Sequence, residues 1–265
     1  MIEALLAGVF GLLIGSFLNV CIYRLPRDLS VVRPRSHCTS CERTIAWHDN
    51  IPLVSFFLLG RRCRHCGAPI SWRYPVVELL TGLLFSYFVL RLGVTLGAGK
   101  MCVFASLLVG LAFADLEELI LPDEFTLGGT AVGLIFSIFV PMPEGIVKLF
   151  VPGVAGSIAE SALAAALPAF FLWLAGWLYL RLRHREGLGL GDVKLIAMTG
   201  SFLGLSGTLI TLAAGSVAGS VIGYGYIKLT GKDAATYELP FGTFLGFAGL
   251  AVAVWMESPW GNGPV

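Results

Sequence analysis

Apolar runs of about 17 to 25 residues recur along the chain, separated by short polar joints, and the one long polar stretch lies at residues 24–73. Read as membrane-crossing helices, the runs fall near residues 2–22, 74–92, 99–118, 124–142, 155–180, 192–205, 207–227 and 240–257. The predicted fold class is an all-α polytopic membrane protein with about eight transmembrane helices and a small cytoplasmic insertion after the first. Its segments are a first transmembrane helix at 1–23, the insertion at 24–73, and a multi-helix membrane domain at 74–265. The sixth run is short and carries Gly200 and Gly204, which predicts a broken or tilted helix there. Gly215 and Gly219 in the seventh run have the small-residue spacing that allows close helix contacts.

Composition agrees with this pattern. The 265 residues are 56% hydrophobic and 13% charged, with a mean hydropathy of +0.82, too apolar for an ordinary water-soluble domain. The net charge of +1 carries no bulk basicity of the kind nucleic-acid binding needs, so no nucleic-acid partner is expected, whereas membrane lipid is. The charges are asymmetric. Placing residues 24–73 in the cytoplasm gathers Arg24, Arg27, Arg33, Arg35, Arg43, Arg61, Arg62, Arg64 and Arg73 there, and with them Arg181, Arg183, Arg185, Lys194, Lys228 and Lys232. Only Arg91, Lys100 and Lys148 then face outward, as the positive-inside rule requires. Both termini then fall on the outer side of the membrane. The start Met1-Ile2-Glu3 lacks a basic n-region, so the first run is expected to remain as a span.

The insertion is too small to build much core, and it contains Cys38, Cys41, Cys63 and Cys66 as two C-x-x-C pairs about twenty residues apart. Two such pairs complete a four-thiolate tetrahedral shell of the type zinc favours. In a reducing cytoplasm the thiols persist as ligands rather than disulfides, so a structural zinc is expected to organise residues 24–73. His37 and His65 adjoin the cysteines and read as bystanders, while Cys21 and Cys102, in or beside apolar runs, read as buried hydrophobes.

Ionisable groups at membrane depth are costly and call for a functional reading first. Here they are Glu78, Asp115, Glu160, Asp192 and Lys194. Asp115 closes an apolar run at the cytoplasmic end of the third span, and Asp192 opens the sixth from the same side, within the sequence GLGLGDVK at 187–194. Two neighbouring carboxyls cannot both ionise cheaply, so one serves as base and the other as acid. That pair is the equipment of an aspartyl peptidase, in which one carboxylate activates water and the other acid polarises the scissile carbonyl. The plainer readings are an N-cap for Asp192 and an interfacial charge for Asp115. Asp123 reads as the cap of the fourth span, Glu78 with Lys194 as an internal ion pair, and Glu160 as an interfacial residue. The joint between the third and fourth spans carries Glu117, Glu118, Asp123 and Glu124 and no basic residue, a charge suited to attracting a basic peptide.

These residues resemble the type IV prepilin peptidase family, the leader peptidase/N-methyltransferases. The resemblance rests on GSFLNV at 15–20, YRLP at 23–26, the paired cysteines, NIPLVS at 50–55, RYPVVEL at 73–79, LPD at 121–123, GLGDVKL at 189–195 and PFG at 240–242. It implies that Asp115 and Asp192 are the catalytic pair of a GxGD-type peptidase whose substrates are prepilin or pseudopilin precursors, with a short basic leader before an apolar helix. Cleavage would follow the leader's terminal glycine on the cytoplasmic side, and S-adenosylmethionine would methylate the new N-terminal amine. No glycine-rich nucleotide fingerprint follows a strand pattern, so no residue is assigned to the methyl donor. ADLE at 114–117 and Thr243 after PFG depart from the family pattern, and neither departure is expected to touch the carboxyl pair. Two other functions fit parts of the sequence: a proton-coupled transporter, which leaves the cysteines unexplained, and a non-catalytic membrane-tethered zinc module, which leaves the aspartates unexplained.

Overall fold

The computed structural model describes residues 1–142, 145, 147–185, 187–231 and 239–258, so Lys232 and the Lys148 side chain lie outside the described residues. The helices are α1 (Ile2–Arg24), α2 (Val54–Leu58), α3 (Arg73–Leu92), α4 (Leu96–Glu118), α5 (Asp123–Phe139), α6 (Gly153–Arg183), α7 (Leu190–Thr230) and α8 (Phe241–Met256). Among the described residues the only β pairing is two isolated bridges in the insertion. Five helices, α1, α3, α4, α6 and α7, are long and apolar enough to cross a membrane, and α8 is a shorter apolar helix of 16 residues. The chain forms two compact units, Met1–Gly110 and Leu111–Val265, and the division falls inside α4.

In the first unit α1 lies along α3. Gly15 makes the closest approach possible: a Cβ there would come 2.6 Å from the Cα of Glu78. Ser86 Oγ donates to the Ala4 carbonyl (2.9 Å) near one end of the pair, and Asn19 Nδ2 donates to the Tyr74 carbonyl (3.1 Å) near the other. The other face of α1 leaves Leu6, Val9, Phe10, Leu13 and Phe17 exposed. Such an apolar stripe suits lipid and would be a liability in water.

In the second unit α7 packs against α5, α6 and α8. Its 41 residues are bent at Gly204, where the backbone leaves the helical region (φ 75°, ψ −177°). A positive φ of this kind is open to glycine and costly for other residues. The bend lies where the sixth and seventh apolar runs were expected to part. Beyond it the glycine spacing is used against α8, since a Cβ on Gly215 would lie 3.1 Å from Leu245 Cα. Hydroxyls in these helices mostly turn back on their own backbone: Thr199, Thr208 and Thr211 each donate to the carbonyl four residues earlier. Glu160 is buried within the protein and accepts the Val147 N–H at 2.8 Å.

Candidate active site and metal centre

The metal centre is built in the first unit from two copies of one backbone turn. At the first pair, Cys38 N–H donates to Arg43 O (3.0 Å), Glu42 N–H to Cys38 O (2.8 Å) and Ile45 N–H to Ser36 O (2.8 Å). At the second, Cys63 N–H donates to Ala68 O (2.8 Å), Gly67 N–H to Cys63 O (2.9 Å) and Ile70 N–H to Arg61 O (2.8 Å). Bridges His37–Thr44 and Arg62–Pro69 close the two turns in the same way. In each the residue after the second cysteine has positive φ, 57° at Glu42 and 72° at Gly67. The turns face one another so that all four Sγ atoms lie within 4.8 Å, with Cys38 Sγ and Cys66 Sγ 3.8 Å apart. A tetrahedral ion about 2.3 Å from each sulfur separates its ligands by about 3.8 Å, so the donor set fits. No histidine joins the cluster among the described residues.

The electrostatics of the centre call for a cation. Backbone N–H groups of Cys66 and His65 hold the Cys63 thiol down to about 6. Cys66 is drawn down by the Ala68 N–H, yet burial and the neighbouring thiols push it up to about 11. Sulfurs this close cannot all ionise without a positive charge among them. Arg64 clamps the second turn to the Trp47–Asn50 turn, donating from Nε and Nη2 to the two oxygens of Asp49 (2.8 and 2.6 Å), and holds that carboxyl below its ordinary range. Glu78 accepts the Leu53 N–H (2.8 Å) and fastens the 50–55 segment to α3. Cys21 and Cys102 are buried, as their apolar settings predict.

The second unit holds the aspartates. Asp115 stands one turn before the end of α4 and Asp192 in the first turn of α7, and they are 5% and 8% exposed. They are close enough to interact electrostatically. Leu121 fills the space beside them: a Cβ on Gly191 would meet its side chain at 3.0 Å, and one on Gly242 would meet it at 2.8 Å and Asp115 Cγ at 3.1 Å. The glycines therefore admit the carboxyls and Leu121 to one small volume. Asp192 is not the N-cap of α7, which is Gly189; it stands inside the first turn, where its backbone N–H donates to the Gly189 carbonyl at 3.2 Å. Asp123 does not cap α5 with its side chain either. Pro122 occupies the N-cap, and the Asp123 carboxylate takes Lys194 Nζ at 2.6 Å, so one acidic group of the α4–α5 joint is already paired.

Thr243, expected to stand clear of the carboxyl pair, touches it. Its backbone N–H donates to Asp115 Oδ2 at 2.6 Å, and its hydroxyl lies 2.9 Å from the same oxygen and 3.0 Å from Ala112 O. A proline at 243 has neither donor. No signal at Thr243 itself marks this role in the sequence; only the adjoining PFG at 240–242 points to the neighbourhood.

Comparison with known proteins covers both units. The family model described as Bacterial Peptidase A24 N-terminal domain matches residues 9–92, and the model described as Type IV leader peptidase family matches residues 102–224. The chain is 41% identical to a prepilin leader peptidase/N-methyltransferase of Myxococcus xanthus over 84% of its own length, and spans 63% of the length of that relative. It is 35% identical to the Aeromonas hydrophila protein of the same description, with 94% of this chain and 90% of the relative covered. The Pseudomonas aeruginosa relative is 32% identical, with 93% and 88% covered. No solved structure gives a significant match.

Proposed function

Because the chain belongs to the type IV leader peptidase family, we propose that it removes the short basic leader from prepilin-like precursors and then N-methylates the residue exposed. The reading is of a multi-pass protein of the bacterial inner membrane with about eight spans, α7 supplying two of them on either side of Gly204. The arginine distribution orients the insertion and the two aspartates toward the cytoplasm. Zinc is the ion proposed for the four cysteines, where it supplies folding energy that so small a module lacks.

The observation that carries the peptidase reading is the meeting of Asp115 and Asp192, buried and in mutual electrostatic reach, from helices 77 positions apart in sequence. In the proposed mechanism the ionised carboxylate takes a proton from water as the water oxygen attacks the scissile carbonyl. The protonated partner donates to that carbonyl oxygen, and collapse of the tetrahedral adduct breaks the C–N bond with a proton delivered to the leaving amine. Thr243 holds Asp115 in place through Oδ2. The methyl donor supplies an electrophilic methyl group carried on a sulfonium.

Asp115→Asn and Asp192→Asn are each expected to leave a folded, metal-containing protein that no longer cleaves a prepilin-like peptide, read by mass spectrometry of the products. Wild-type cleavage by either variant removes the aspartyl assignment.

A further inference from the structure

The joint between α4 and α5 is four residues long, 119–122, and it is fixed at both ends. At one end Leu119 N–H donates to the Asp115 carbonyl (2.9 Å), and a φ of 55° at Leu119 turns the chain out of α4. At the other end Pro122 is the N-cap of α5, and its carbonyl accepts the N–H groups of Phe125 (3.2 Å) and Thr126 (3.1 Å). The next residue, Asp123, is paired at 2.6 Å with Lys194, which stands on α7 two positions after Asp192. A joint so short and so pinned leaves Leu121 little room to depart from its place.

That place is beside the carboxyl pair. A Cβ on Gly191, the residue before Asp192, would meet Leu121 Cβ at 3.0 Å and Cδ1 at 3.1 Å. A Cβ on Gly242, the residue before Thr243, would meet Leu121 Cδ1 at 2.8 Å, Cδ2 at 3.0 Å and Asp115 Cγ at 3.1 Å. One isobutyl group is therefore packed between the backbone in front of Asp192 and the backbone in front of Thr243, with the Asp115 carboxyl against the same point. Leu121 is only half-buried, so its remaining side is open to an incoming chain. Water activation needs no apolar group there. A scissile carbonyl, however, must come within hydrogen-bond reach of the carboxyls, and it brings with it the Cα of the residue that precedes the bond. A side chain on that Cα would add volume beside a leucine already in close contact, which packed sites resist. A hydrogen adds none.

We propose that Leu121 is a specificity-determining residue of the peptidase: it fills the space that a side chain on the residue before the scissile bond would take, and so restricts that residue to glycine. The inference rests on the peptidase reading and deepens it. Glycine at that position is what the family resemblance implies, and Leu121 is its cause in this chain. The ion pair between Asp123 and Lys194 then has a purpose as well, since it keeps the joint against α7 and the leucine in the way.

The test is a competition. Purified full-length protein in detergent is given equal amounts of two prepilin-like peptides that differ only in glycine or alanine before the scissile bond, and mass spectrometry of the products yields the ratio of their kcat/KM values. The ratio is internal to each variant, so a general loss of rate does not disturb it. Leu121→Ala is expected to lower the preference for glycine by about tenfold or more, the discrimination that one small apolar group commands in a close-fitting site. Leu121→Val is expected to lower it less, and Leu127→Ala, at an exposed position of α5, to keep the wild-type ratio. Wild-type preference in a folded Leu121→Ala protein overturns the assignment, as does an equal shift in Leu127→Ala or equal cleavage of the two peptides by the wild type. Should Leu121→Ala fail to fold, an unchanged ratio in Leu121→Val overturns it. Folded Leu121 variants that cleave neither peptide overturn it too, because the leucine then serves the reaction itself. If the wild-type protein cleaves neither peptide, the peptidase reading falls, and this assignment with it.

Discussion

Thr243 contributes two donors to one oxygen of Asp115, and both arise from a single residue at the start of α8. A carboxyl held by one oxygen keeps the other free to face its partner and water, so the hydroxyl's task is orientation. Replacing it by the isosteric valine leaves the backbone N–H in place and removes the second bond, beside a carboxyl that stays buried. Bonds of this kind are worth about 1.5 to 3 kcal/mol when one partner is charged. Thr243→Val is therefore expected to lower kcat by about tenfold with KM little changed, and Thr243→Ser to restore it. Steady-state kinetics on a prepilin-like peptide decide the matter. Equal loss in the serine and valine variants assigns Thr243 to packing instead. The contact was not legible in the sequence because threonines in apolar helices ordinarily bond the carbonyl four residues back, as Thr199 and Thr208 do here. The aspartates were legible, because a carboxyl in an apolar run has few purposes that offset its cost.

The two cysteine turns show the same division at the scale of elements. Their ligands could be read from spacing alone, yet SHCTSCERTI at 36–45 and RRCRHCGAPI at 61–70 share only the cysteines and a terminal isoleucine. Their likeness lies in main-chain hydrogen bonds, to which side-chain identity is nearly blind, so no repeat was visible. The bend at Gly204 was better signalled, since glycine is the residue that a positive φ selects. With hardly any core beneath them, the turns would depend on an ion held between them. Cys38→Ser combined with Cys63→Ser is expected to reduce bound zinc from about one equivalent to almost none. It should also open residues 24–73 to protease while the membrane helices stay protected. Metal analysis and limited proteolysis check this together, and full zinc occupancy in the double variant would falsify the four-thiolate centre.

At the scale of the whole molecule, the chain divides between Gly110 and Leu111; one family model, at 9–92, lies within the first unit, and the other, at 102–224, begins shortly before the division and lies mostly in the second. The carboxyl pair and Thr243 belong wholly to the second unit, and the cysteines belong wholly to the first. Hydrolysis creates an amine, and methylation consumes one, so the reactions are ordered by their chemistry. A defect in the first reaction therefore hides the second in any assay that begins with precursor, and the two must be separated by supplying the intermediate. Asp192→Asn is expected to abolish cleavage of the precursor yet retain methylation of a synthetic peptide that begins at the mature N-terminus. The readout is a mass gain of a single methyl group, dependent on S-adenosylmethionine. Loss of methylation in a folded Asp192→Asn protein means that the carboxyl pair serves both steps, and its restriction to hydrolysis must then be abandoned.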